Sequence, residues 1–201
     1  MPDLFQPSRP EIVKLGGSLV GDPRLPALLD ALAGRGAPLI LVTGGGPLAD
    51  GVRALQPRLA LSDAACHRMA ILAMEQTAHA FADLAPGLAL VATPGAMAEA
   101  HGQGRAALWL PAGMALAATD LPENWDLTSD SLATWLAAEL GAVRLTLVKS
   151  VAAASGTAAD WAVTGLVDPL FPVFAARLAC PVHLTTVDAL LAELNHGDIA
   201  A

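Results

Sequence analysis

The sequence predicts an α/β fold made of parallel βα units, with helices on both faces of the sheet. Three observations lead there. Short apolar runs alternate with stretches of helical periodicity along most of the 201 residues, the pattern of a buried parallel sheet. Glycine clusters follow directly on two of those runs, where a strand empties into a loop. The chain holds only two lysines against nine arginines, and both end an apolar run: Glu11-Ile12-Val13-Lys14 and Leu145-Thr146-Leu147-Val148-Lys149. A lysine kept against such a bias suggests a need for a compact ammonium that a planar guanidinium does not replace. Two of them at strand ends suggest a site for a polyanion.

The elements follow in order. Ile12-Val13 and residues 39–42 read as the first two strands, with a helix over residues 23–32 between them, ended by Gly34 and Gly36. Residues 47–55 form the next helix, with Pro47 at a tolerated first-turn position. Ser62 caps a long helix to about Leu84, in which Cys66, Met69, Ala70, Ala73, Thr77, Phe81 and Leu84 recur at helical spacing. This Ala-rich stripe suits either the core or the contact of a homo-oligomer. Residues 88–91 and 107–110 are strands around a helix starting near Pro94, and residues 111–126 are rich in loops. Residues 128–140 form a helix with Leu132, Trp135, Leu136 and Leu140 on one face and Gly141 as its stop. Residues 143–148 are the strand that ends in Lys149. After it come a small-residue loop over 152–159, a helix over 171–178, a strand over 182–185 and a terminal helix over 187–194. A composition shift near residues 121–125 marks a boundary between two lobes of one compact domain, 1–121 and 122–201.

Composition narrows the function. Hydrophobic residues make up 54% and aromatic ones 4%, so the core is built mainly from Ala, Leu and Val. A net charge of −8 argues against nucleic acid and anionic membranes as partners, since both need an extended basic field. Cys66 and Cys180 make no disulfide framework, and neither a signal layout nor an uninterrupted apolar span is visible, so a cytoplasmic location is expected. The histidines and cysteines form no metal set: Cys180 and His183 lack a second pair, while His67, His79, His101 and His196 are scattered and read as structural or surface residues. Trp125, Trp135 and Trp161 read as core.

Several clusters carry chemistry. Gly16-Gly17-Ser18 follows Lys14 between a strand and a helix, where bare backbone N–H groups make an anion nest. It lacks the spacing of a P-loop. Thr43-Gly44-Gly45-Gly46-Pro47-Leu48-Ala49 also satisfies a Gly-x-Gly-x-x-Ala dinucleotide fingerprint, but Asp63, at roughly the separation where that fingerprint wants a strand-end acid, opens a long helix instead. The triple glycine is better read as bare backbone against an acceptor group. Asp130 lies in the first turn of its helix; alone it complements the helix dipole, and beside both lysines it would orient two ammonium groups. Arg53, a turn or two after the glycines, is either a solvated helix residue or a clamp for an anionic acceptor.

With these residues in hand the chain resembles the amino acid kinase family, which includes N-acetylglutamate, aspartate, uridylate and isopentenyl phosphate kinases. The resemblance rests on Val13-Lys14-Leu15-Gly16-Gly17-Ser18-Leu19, Thr43-Gly44-Gly45-Gly46, Thr128-Ser129-Asp130-Ser131-Leu132-Ala133 and the Lys149 strand end, in that order and spacing. Within the family it resembles the branch of furan-methyl phosphate kinases of methanofuran and methylofuran coenzyme synthesis. That likeness rests on Ser62-Asp63 with His67-Arg68-Met69-Ala70-Ile71, Leu110-Pro111, Trp125-Asp126-Leu127-Thr128-Ser129-Asp130-Ser131, and Gly165-Leu166-Val167-Asp168-Pro169-Leu170-Phe171-Pro172.

The resemblance implies a three-layer αβα sandwich around a mainly parallel open sheet, with an acceptor lobe over 1–121 and an ATP lobe over 122–201. It implies Mg2+-dependent transfer of the γ-phosphoryl group of ATP to an acceptor carboxylate or phosphate, here the phosphate of an aminomethylfuran-type phosphomonoester. Uridine monophosphate, isopentenyl phosphate and N-acetylglutamate are the rival acceptors, and a nucleotide-binding subunit without turnover is the rival of another class. Carried over to matching positions, Lys14 and Lys149 would neutralise the transferring group, Asp130 would organise them, Gly16, Gly17 and Ser18 would contact ATP phosphates, and Gly44, Gly45 and Gly46 would border the acceptor. Many members follow the second-lobe strand with Asp-Gly; here Lys149-Ser150-Val151 runs into Ala152-Ala153-Ala154-Ser155, a shorter apolar loop that would alter base preference or close only on ATP.

Overall fold

Among the described residues, six strands form one sheet in the order β3-β4-β2-β1-β5-β6, and every neighbouring pair is parallel. The strands are β1 Glu11–Leu15, β2 Leu39–Thr43, β3 Ala89–Val91, β4 Ala107–Trp109, β5 Arg144–Lys149 and β6 Val182–Thr186. This computed structural model describes residues 9–36, 38–151 and 156–197. The helices are α1 Leu25–Gly34, α2 Gly46–Leu59, α3 Asp63–Leu84, α4 Pro94–Gly102, α5 Ala112–Ala115, α6 Ser129–Glu139, α7 Ala158–Val163, α8 Phe171–Ala175 and α9 Val187–Gly197, with a 3-10 turn at Gly17–Leu19.

Strand alternation sorts the core into two layers. Ile12, Ile40, Val42, Leu145 and Leu147 pack with α6 and with Ile71 and Met74 of α3. Val13, Leu15, Leu39, Leu41 and Val148 pack with the Leu28-Leu29-Leu32 face of α1 and with Leu190 of α9. Period-two alternation then puts Lys14 on the α6 face beside Ile12, and Lys149 on that same face beyond Leu147. Register completes the placement: Lys14 lies opposite Leu147, so Lys149 stands one same-face position further toward the strand ends. The sheet grows away from β1 in both directions, through β2 on one side and β5 on the other. Such a switch point is where open α/β sheets hold ligands.

Most expected elements appear with shifted ends. The helix expected over 23–32 starts at Leu25 because Asp22 first accepts the Arg24 N–H at 2.9 Å and makes a turn. The helix expected over 47–55 runs on to Leu59 through Pro57, and Ala60 ends it in a left-handed conformation, φ 50°. Residues 111–126 include the single turn α5. Of the loop expected over 152–159, residues 152–155 lie outside the described residues and 158–159 already belong to α7. The helix expected over 171–178 closes at Ala175. No described helix is long and apolar enough to cross a membrane.

Candidate active site

Asp130 carries both lysines. Its Oδ1 lies 2.6 Å from Lys14 Nζ and its Oδ2 2.7 Å from Lys149 Nζ, so one carboxylate bridges two strand ends. All three side chains are largely removed from water: exposures are 4% for Lys14, 6% for Asp130 and 13% for Lys149. Burial works against the Asp130 carboxylate, yet the two ammonium groups prevail and hold it below the ordinary range. Burial is also the main influence on Lys149, followed by repulsion from Lys14, and together they bring it down to about 8 in spite of Asp130.

The position of Asp130 is set from elsewhere in the chain. Thr128 is the N-cap of α6 but makes no side-chain cap bond of its own. Asp168 does this from across the fold: its Oδ2 accepts from Thr128 N at 3.0 Å, Thr128 Oγ1 at 2.7 Å and Ser131 N at 3.0 Å, and its Oδ1 accepts from Ser131 Oγ. A buried carboxylate thus satisfies orphan N–H groups of the turn that presents Asp130.

The two glycine loops meet each other. A Cβ on Gly44 would stand 2.5 Å from Gly17 N, and one on Gly17 would stand 2.6 Å from Gly46 N. The ladder also uses some of their N–H groups: Gly16 N donates to Val148 O at 3.1 Å and Gly44 N to Leu15 O at 2.9 Å. Gly17 and Ser18 open the 3-10 turn, so their N–H groups have no partner within it. Ser18 Oγ donates to Ser150 Oγ at 3.1 Å, tying the first loop to the end of β5.

Beside these loops lies a cavity of about 300 Å³, lined by Lys14, both glycine loops, Arg53, His67, Trp125 and the start of α6. Arg53 sits over the Trp125 ring at 4.3 Å from its centroid and pairs with Asp50 at 3.2 Å. Trp125 Nε1 donates to Gln56 Oε1 at 2.6 Å, and Gln56 Nε2 donates to Asp63 Oδ1 at 2.7 Å. These bonds fasten the segment before α6 onto α2 and α3. Among the described residues no group of three or more His, Cys, Asp or Glu side chains is arranged to hold a metal ion.

Residues 10–153 match the model of the amino acid kinase family. The chain belongs to the amino acid kinase family. Among curated relatives, the [5-(aminomethyl)furan-3-yl]methyl phosphate kinase of Methanocaldococcus jannaschii is 31% identical over 128 residues, which cover 62% of this chain and 58% of that protein. Solved kinase structures share the fold. Uridylate kinase from Archaeoglobus fulgidus superposes with a TM-score of 0.66 at 16% identity, covering 92% of this chain and 95% of that one. The UMP kinase of Bacillus anthracis gives 0.68 at 12% identity, covering 94% and 92%.

Within this amino acid kinase fold, Lys14, Lys149 and Asp130 come together, Gly16, Gly17 and Ser18 lie beside Gly44, Gly45 and Gly46, and Arg53 faces the cavity. Sequence reasoning passed over three residues. Asp168 was quoted within a motif but had no role, although a lone acid in the apolar run Leu166 to Phe171 must find partners if it is buried. Trp125, read as core, is half-exposed and lines the cavity. His67, read as structural or surface, lines it too.

Proposed function

We propose that the protein transfers the γ-phosphoryl group of ATP to a small phosphomonoester held in the cavity, giving ADP and a diphosphate. The observation that carries this is the single buried carboxylate shared by two ammonium groups, with Asp130 and Lys14 lining the cavity beside two glycine loops. Phosphoryl transfer asks mostly for alignment and charge stabilisation. Here Lys14 faces the acceptor side and Lys149 the ATP side, with Asp130 holding both in register. Gly17 and Ser18 N–H groups serve the ATP phosphates, and Gly44, Gly45, Gly46 and Arg53 border the acceptor. An ionised oxygen of the acceptor phosphate forms the new bond to the γ-phosphorus while its bond to the β,γ-bridging oxygen breaks. That oxygen already carries its charge, so no side chain has to remove a proton.

Mg2+ fits this arrangement as a companion of the nucleotide, because it commonly keeps water and phosphate oxygens as ligands. It supplies further neutralisation of the phosphates. Residues 1–121 form the acceptor lobe and residues 122–201 the ATP lobe of a cytoplasmic enzyme without nucleic-acid or membrane partners.

The acceptor we favour is [5-(aminomethyl)furan-3-yl]methyl phosphate, in methylofuran or methanofuran synthesis; support comes from the 31% identical relative and from a cavity that combines an aromatic ring, a cation and an imidazole. Release of ADP from ATP and Mg2+ is measured with that compound, uridine monophosphate, isopentenyl phosphate and N-acetylglutamate. Selective turnover of the furan phosphate is expected. Turnover with another member of the panel alone refutes the furan assignment, and silence with ATP bound refutes phosphotransfer to this panel.

A further inference from the structure

The cavity has two poles, and α3 sets the distance between them. At one pole Thr43 Oγ1 donates to Met74 O at 2.9 Å and Thr77 Oγ1 donates to Gly45 O at 3.3 Å, so this part of α3 is fixed to the end of β2 and the glycine loop. Lys14 and Gly17 lie at that pole. His67, Ala70, Ile71 and Met74 are spaced as one helix face, and all four line the cavity. His67 is seven residues before Met74, so it stands about two turns, ~10 Å, along the helix from the glycine loop. It comes close to the other pole, where Asp63, Gln56 and Trp125 are bonded to one another.

His67 is only 5% exposed, and its ring has no hydrogen-bond partner among the described residues. The half-buried imidazole of His101 is different: its Nε2 meets Leu39 O at 3.1 Å. Burial pushes the His67 ring below its ordinary range, with Glu123 opposing and Arg68 assisting, so it is neutral near pH 7. A neutral imidazole has one donor and one acceptor nitrogen. A buried polar ring that faces a cavity and lacks a protein partner is completed by what fills the cavity.

We infer that His67 determines acceptor specificity: its imidazole hydrogen-bonds a polar substituent on the body of the acceptor, at the pole remote from the phosphoryl group. This rests on the reading that the cavity holds the acceptor. In the aminomethylfuran phosphate that substituent is the amine, which donates to the unprotonated ring nitrogen.

The test uses the full chain with ATP and two acceptors, [5-(aminomethyl)furan-3-yl]methyl phosphate and the analogue with a methyl group in place of the aminomethyl. The readout is the ratio of their kcat/KM values in wild type, His67→Ala and His67→Gln. His67→Ala is expected to lower that preference for the amine by about tenfold, the worth of one hydrogen bond to a charged group, and His67→Gln to recover part of it. An equal loss on both acceptors would show that the ring acts through packing and would overturn the inference. Should His67→Ala fail to fold, the wild-type imidazole 15N shifts decide: they move on adding the amine acceptor and stay with the methyl analogue, or the inference falls. Normal wild-type turnover with an unaltered ratio sinks this inference alone. Absence of ADP release from both acceptors sinks the acceptor reading and takes this inference with it.

Discussion

Raising the pH acts on this site through Lys149. Its ammonium is lowered from 10.5 to about 8, first by burial and then by Lys14, with Asp130 and Asp168 opposing. If the charged form binds the ATP phosphates, kcat/KM for ATP follows the protonated fraction of the free enzyme. That fraction is about nine-tenths at pH 7 and roughly 3% at pH 9.5, so kcat/KM falls by about 30-fold between them. Stability moves the other way. The unfolded chain keeps this proton up to 10.5 and the folded chain only up to about 8, so between those values unfolding takes up a proton and becomes harder as pH rises. The charged, buried ammonium therefore costs about 3 kcal/mol below pH 8, and that cost is relieved by pH 10.5. Initial rates of ADP formation at subsaturating ATP, with thermal unfolding over the same pH series, measure both. Lys149→Arg keeps its charge throughout, so it should be slower than wild type at pH 7 but lack the alkaline limb. An alkaline limb at the same pH in wild type and Lys149→Arg would refute the assignment to Lys149.

Lys14→Ala should lower kcat by ~10²–10³ or more, as for loss of one preorganised contact to a developing charge, and unchanged turnover would remove Lys14 from the mechanism. Asp168→Ala removes the acceptor of four hydrogen bonds at the start of α6; a loss of at least ~3 kcal/mol is expected, read as a fall of about 6–12 °C in Tm. Gly44→Ala sets a Cβ 2.5 Å from Gly17 N, so the two loops must part; a cost of ~1–3 kcal/mol with loss of ATP turnover is expected, and wild-type kinetics would show that the contact has no consequence.

The strands were legible because a parallel sheet covered on both faces leaves apolar runs that propensity alone identifies, as in Ile40-Leu41-Val42. Lys14 and Lys149 stood out for the complementary reason, since a charge at the end of such a run faces a crevice. Helix α7 was not read, because it is six residues long and its apolar residues Ala158, Trp161 and Ala162 rest only partly buried against the core. Its signature was local: Thr157 and Asp160 form a capping box. That Gly44 abuts Gly17, far away in sequence, was not legible; nothing in either segment alone announces that contact. Asp168 and His67 belong to the same class, since a role defined by another element becomes visible only when the elements meet.

The central place of β1 has a consequence for how the chain is made. Its two neighbours are β2, which follows closely, and β5, which begins only at Arg144. Without β5, β1 has β2 alone as a neighbour and one open edge, and Asp130 has Lys14 alone of the two ammonium groups. An unpaired strand edge is a template for pairing with another nascent chain. Emergence of β5 closes that edge and brings Lys149 onto Asp130 in the same step, so the charge balance of the site is reached only when β1 is paired on both sides.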